Sequence, residues 1–234
     1  MRLVWVLTLL ASACGSGSAA DATEDAEVPC AEDFDLDLAM RIVALPDVVD
    51  GQVDGSNIDD RVSDEGDEGG CRRADLSDPS DGEVGVDNQL AVLKPNLDSF
   101  LEDGVNAAIE RSSVSVRVVS DAASCPGLSL EVGGSRLEGT GAIDDAGVIR
   151  ARFEGEASFS DLLGAGEPWN LSRIHLRIDP DLGSGVFSGA LRVEDWATFE
   201  GVPDELLRNT LESVADLPSD TGECRLVSVG LLLR

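Results

Sequence analysis

Tyrosine is absent from the 234 residues, and Phe and Trp together supply only 4% of them. Modules that grip sugars use aromatic faces as stacking platforms, and this chain has few to offer. Lysine occurs once, at Lys94, and histidine once, at His175; the remaining cations are sixteen arginines. Against them stand 46 Asp and Glu, for a formal net charge of −29. Neutralising a phosphate backbone takes clustered Lys and Arg, so nucleic acid is not an expected partner. Docking on anionic lipid by charge is disfavoured on the same ground. Apolar residues still make up 42% of the chain, enough for a real core.

The catalytic vocabulary is also thin. Any Ser-His-Asp or Cys-His scheme would have to use His175, which lies between charged neighbours in a strand pattern and reads as an exposed strand residue. No Gly-x-Ser-x-Gly elbow, His-Glu-x-x-His pair or Gly-Lys-Ser/Thr loop occurs. A glycosidase-like mechanism needs only two carboxylates, so a small carboxylate-dependent hydrolase is the enzymatic alternative.

What is present begins with a leader. Residues 1–13 combine Arg2, an apolar run and small residues, the pattern of a signal peptide. The run is shorter than the roughly 20 residues a spanning helix takes. Cys14 follows in Leu10-Ala11-Ser12-Ala13-Cys14, which resembles a bacterial lipobox, although Ala11 stands where that pattern prefers Leu. Residues 14–29 then read as a lipidated cysteine on a flexible Gly/Ser/acidic tether. Gly15 after the cysteine implies, by the enteric sorting rule, an outer-membrane lipoprotein. Secretion after plain cleavage is the alternative. The expected partner is thus the membrane, through the lipid anchor. The other four cysteines, Cys30, Cys71, Cys125 and Cys224, form an even set in an exported chain and read as two disulfides. Three pairings are open; the expected one is Cys30–Cys71 with Cys125–Cys224.

Residues 30–234 read as a single β-rich domain. Residues 34–42 alternate as a strand. Residues 46–87 form an acidic loop, with fourteen acids between Asp47 and Asp87 against Arg61, Arg72 and Arg73. A loop that long should be disordered or functional. Apolar steps of three and four from Leu90 to Ile109 predict a helix with Asp87 as N-cap, bent or divided at Pro95. Strands follow near 114–118, 128–132, 136–142, 148–159, 170–178 and 186–194, then a short helix at 203–215 and a last strand at 226–233. The expected class is α+β, mainly β: an antiparallel meander or twisted sheet with the central helix packed on it, a β-sandwich being the alternative.

Two segments are candidates for binding. Asp81, Glu83 and Asp87 place oxygens at intervals around Gly82 and Gly85, as a Ca²⁺ loop would. An EF-hand it is not, because Val92 stands where the bidentate Glu belongs. A solvated acidic loop without specific cation affinity is the competing reading. The second candidate is a stripe of arginines. Alternation puts Arg150 and Arg152 opposite Ile149, Ala151 and Phe153, and puts Arg173 and Arg177 opposite Ile174, Leu176 and Ile178; Arg192 follows in the next strand. On neighbouring strands these five would share a face and could hold a small anionic ligand through their planar forks. The competing reading pairs them with glutamates across the sheet or under the acidic loop.

Cys14, the run Gly85-Val86-Asp87-Asn88 and hairpin glycines such as Gly189 together resemble a loose group of exported lipoproteins of myxobacteria and their relatives. That group carries no assigned activity, so the resemblance implies location and architecture rather than chemistry. The sequence therefore points to a lipid-anchored exported domain with a binding or structural role, with Ca²⁺ as the candidate cofactor. Its protein or small-anion partner has no signature.

Overall fold

The computed structural model describes residues 36–68, 71–80, 82–120, 127–144, 146–160, 162–163, 168–195 and 203–234. It is mainly β and antiparallel. In chain order the elements are β1 (Asp37–Ala44), β2 (Leu76–Ser77), β3 (Val84–Val86), α1 (Gln89–Val92), α2 (Lys94–Phe100), α3 (Val105–Ser112), β4 (Ser115–Ser120), β5 (Gly127–Val132) and β6 (Ser135–Ile143). Then come β7 (Ile149–Phe153), β8 (Ala157–Phe159), β9 (Trp169–Asp179), β10 (Ser184–Arg192), a 3₁₀ turn, α4 (Asp204–Glu212), β11 (Leu217–Pro218) and β12 (Cys224–Leu233).

The sheet runs β1-β4-β5-β6-β7-β9-β10-β12, and β12 pairs back onto β1. Arg41 and Arg234 exchange both main-chain hydrogen bonds at that seam. An open meander or a two-sheet sandwich keeps free edges; here the strand order closes on itself as an up-and-down barrel. β8 continues the place of β7 beside β9, and β11 borders the start of β12.

Period-2 patterning decides what faces inward. Met40 and Ile42 of β1, Val116 and Val118 of β4, and Leu128 and Leu130 of β5 are buried. So are Ile174, Leu176 and Ile178 of β9 and Val227, Val229 and Leu231 of β12. The cross-strand register sets them side by side around the ring. The interior is thus filled with apolar side chains. A Cβ at Gly139 would meet the Arg152 carbonyl at 2.1 Å and the Phe153 ring at 2.6 Å, so that place on β6 is left to the phenyl ring. β9 keeps Leu171 and Trp169 inward only by a bulge: Ser188 faces His175 while Ala190 faces Ser172. Arg173 sits in the bulge with φ +52°.

The four helices among the described residues lie in the β1–β4 and β10–β12 connections, which leave the barrel at the same end. Leu90, Leu97, Ile109, Leu207 and Leu211 join the interior residues in one core cluster. The helix expected over 90–109 is instead three short ones. Pro95 is the second residue of α2, in the first turn where its missing N–H costs nothing, and the chain breaks again before Gly104 at φ +80°. Asp87 is not the cap. Its carboxylate accepts from Ile58 N instead, and Asn88 occupies the cap place without a side-chain cap bond because its own amide is bonded to Asp54 and Gly230.

The disulfide pairing also differs from expectation. Cys71 is bonded to Cys224, with the Cα atoms 5.7 Å apart. Both expected pairs fail, since each claims one of these two residues. Proximity in sequence is a poor guide here, because the acidic segment folds back over the barrel and brings Cys71 to the start of β12. Cys14, Cys30 and Cys125 lie outside the described residues.

Candidate functional site: the acidic strap and the arginine face

Residues 45–68, 71–80 and 82–88 form a strap folded across the outer face of the barrel, carrying the small β2–β3 sheet. Its foot is the Gly85-Val86-Asp87-Asn88 run. Asn88 is fully buried: its amide donates to the Asp54 and Gly230 carbonyls at 2.9 and 3.3 Å, and its oxygen accepts from Gly230 N at 2.9 Å. Gly230 admits this contact because a Cβ there would lie 2.5 Å from the Asn88 amide nitrogen. Next to it, Gln89 N donates to Ser228 Oγ at 2.8 Å, and Ser228 donates from N and Oγ to Asp216.

The arginine face lies under the strap. Register sets Arg150 directly opposite Arg177, and Arg152 opposite His175. Like charges opposed across a ladder destabilise it. The strap supplies the compensation. Arg177 Nη1 donates to Asp78 at 2.5 Å, and Asp54 stands 3.8 Å from Nη2. Arg152 grips Asp60 with both terminal nitrogens, and Arg150 reaches Glu83 at 3.2 Å. Asp78 is fully buried and the Arg177 side chain is 11% exposed, so this pair is nearly dry, whereas the Arg150 and Arg152 pairs are about half exposed.

The remaining two arginines of the stripe lie further round the barrel. Arg192 pairs with Glu156 at 3.4 Å, and Arg173 donates from Nη2 to the Pro218 carbonyl at 2.7 Å. Thus β7 and β9 bring Arg150, Arg152 and Arg177 together, while Arg173 and Arg192 line a different hollow. Each hollow has a volume of about 430 Å³.

Electrostatics sets what the strap hollow can do. Burial, reinforced by the charge of Arg152, lowers the His175 pKa to about 4, although Asp60 opposes the shift. The imidazole is neutral at pH 7 and a poor base. The Arg152 hydrogen bonds hold the Asp60 carboxyl below the usual carboxylate range. An acid catalyst would need the opposite shift. The two strongly raised carboxyls, Asp87 at about 8 and Asp216 at about 7, owe their shifts first to burial. They are 2% and 4% exposed, out of reach of a substrate.

Of the candidate Ca²⁺ ligands, Asp81 lies outside the described residues. Glu83 faces Arg150, and Asp87 accepts hydrogen bonds from Ile58 N at 2.5 Å and Asp59 N at 3.3 Å. Among the described residues no group of three His, Cys, Asp or Glu side chains is placed to hold a metal ion.

Sequence reasoning missed Asp54, Asp60, Asp78 and Asp216. Fourteen acids in a row of turns look alike, and which of them meets an arginine about a hundred residues away has no local signal.

No protein-family model, curated protein or solved structure matches this chain.

Proposed function

We propose that this chain is an exported, lipid-anchored barrel domain with a binding or structural role rather than a catalytic one. The observation that carries the reading is the Cys71–Cys224 bridge, which ties the strap to the barrel. Such a bridge belongs to an oxidising compartment, in keeping with the leader and Cys14. The barrel, with its helices packed against the sheet, is then a rigid mount, and residues 14–29 are the tether that hangs it from an envelope membrane. Support for a non-catalytic role comes from the strap hollow, where the histidine is a weak base and the carboxylates are committed to arginines. Those ion pairs and main-chain N–H groups give the strap its order without a cation, so Ca²⁺ is not required in this reading.

The test is mass spectrometry of the N-terminal peptide from membranes of an expressing Gram-negative host. The expected species begins at Cys14 and carries a diacylglyceryl group, and Cys14→Ser moves the protein to the soluble fraction. An unprocessed Met1 terminus on soluble protein overturns the reading.

A further inference from the structure

The second hollow lies between the β9 bulge and the turn joining β11 to β12. Three arginines (Arg173, Arg192, Arg225) and three carboxylates (Glu194, Asp220, Glu223) line it, together with Ser219 and Thr221. Three observations set Arg173 apart. First, its backbone is left-handed at φ +52°, a conformation that a glycine would hold with less strain. The bulge itself only keeps Leu171 inward, a task with no need of a long cationic side chain. Second, the guanidinium makes one hydrogen bond, to the Pro218 carbonyl. Among the described residues it has no carboxylate partner, in a chain with 46 acids. Third, the glutamates nearby are already engaged: Arg225 contacts Glu194, Glu212 and Glu223, and Arg192 contacts Glu156, which leaves Asp220 as the lining acid without a cationic partner among the described residues.

We propose that this hollow is a binding site for a small carboxylate, with Arg173 as its cation. An Arg fork accepts a carboxylate side-on with two parallel hydrogen bonds. Ser219 and Thr221 lie 2.9 Å apart, and a hydroxyl of either can donate to the same ligand. Asp220 opposes a second negative charge, so a monoanion is preferred to a dianion. The turn is held by Ser219 N to Glu223 O at 2.7 Å and Gly222 N to Ser219 O at 2.9 Å. It also adjoins the Cys224 bridge, so the site is organised before the ligand arrives. The inference places the proposed binding role on one part of the surface and does not depend on the lipid anchor.

The test is ¹⁵N NMR of the arginine Nε–H groups in the full chain at pH 7, titrated with sodium acetate and separately with inorganic phosphate. The Arg173→Gly spectrum assigns the Arg173 signal. The expected result is a saturable shift of Arg173 with acetate, at least fivefold tighter than with phosphate, while Arg150 and Arg152 stay in place. Arg173→Gly should keep its melting temperature within a few degrees and lose the ligand-induced shifts of the Ser219–Thr221 amides; Arg173→Asn serves if the glycine variant does not fold. Equal linear drift of all arginines, or amide shifts that persist without Arg173, overturns the proposal. Saturable binding of phosphate in preference to acetate overturns the monoanion assignment.

Discussion

Asp87 and Asp216 carry a cost that grows with pH. Each is buried, each takes hydrogen bonds from main-chain N–H groups, and none of the described cations is paired with either. Asp216 and Asp75 both raise Asp87, and Asp75 raises Asp216. Because the folded pKa values lie above the ordinary carboxylate value, their contribution to stability is fully present below about pH 4. It is lost as pH rises through about 7 and about 8. Melting temperature should therefore fall between pH 5 and pH 9. Asp87→Asn should flatten that fall and raise the melting temperature at pH 8.5. A variant with an unchanged pH profile would contradict the burial of an unpaired carboxylate.

At the scale of elements, the strap and the β7–β9 face need each other. Opposed arginines on two neighbouring strands are tolerable because the strap lays carboxylates over them. The pairs are unequal. Asp78→Ala takes from the nearly dry Arg177 its closest carboxylate and leaves Asp54 at 3.8 Å, so it should cost about 3–5 kcal/mol in denaturant unfolding. Asp60→Ala, at a half-exposed pair, should cost under about 1 kcal/mol. Asn88→Ala leaves the buried Gly230 N–H without its acceptor and should cost about 1–3 kcal/mol. Melting in Ca²⁺ should match melting in Mg²⁺ at equal ionic strength, because Arg150 already engages Glu83 and main-chain N–H groups already engage Asp87.

Most long strands were legible to within about two residues, since alternation such as Ile149-Arg150-Ala151-Arg152-Phe153 states both the element and its buried face; β1 starts three residues later than expected, 148–159 is two strands (β7 and β8) rather than one, and the short β2, β3 and β11 were not foreseen. The bulge at Arg173 was legible only as a lapse of that alternation between Leu171 and Ile174. The order of the acidic segment was not legible at all. Its composition is that of a solvated loop, and its structure comes from distant partners: Arg150, Arg152, Arg177, Gly230 and Cys224.

At the scale of the whole molecule, closure is the organising fact. β1 and β12 come from opposite ends of the described chain, and their pairing leaves no long open edge in the ring. Truncation after Gly230 removes Leu231, Leu233 and the Arg41–Arg234 exchange, and should abolish cooperative thermal unfolding. The bridge from Cys71 to Cys224 closes a loop with a sequence separation of 153 residues, and its loss should cost about 5 kcal/mol in the chain-entropy picture.

The most direct measurement is peptide mapping of the native protein under non-reducing conditions. The account predicts a linked peptide pair that joins Cys71 to Cys224 and disappears on reduction. Cys71 joined to Cys30, or both residues recovered as free thiols, would contradict a strap locked across the barrel in an oxidising compartment.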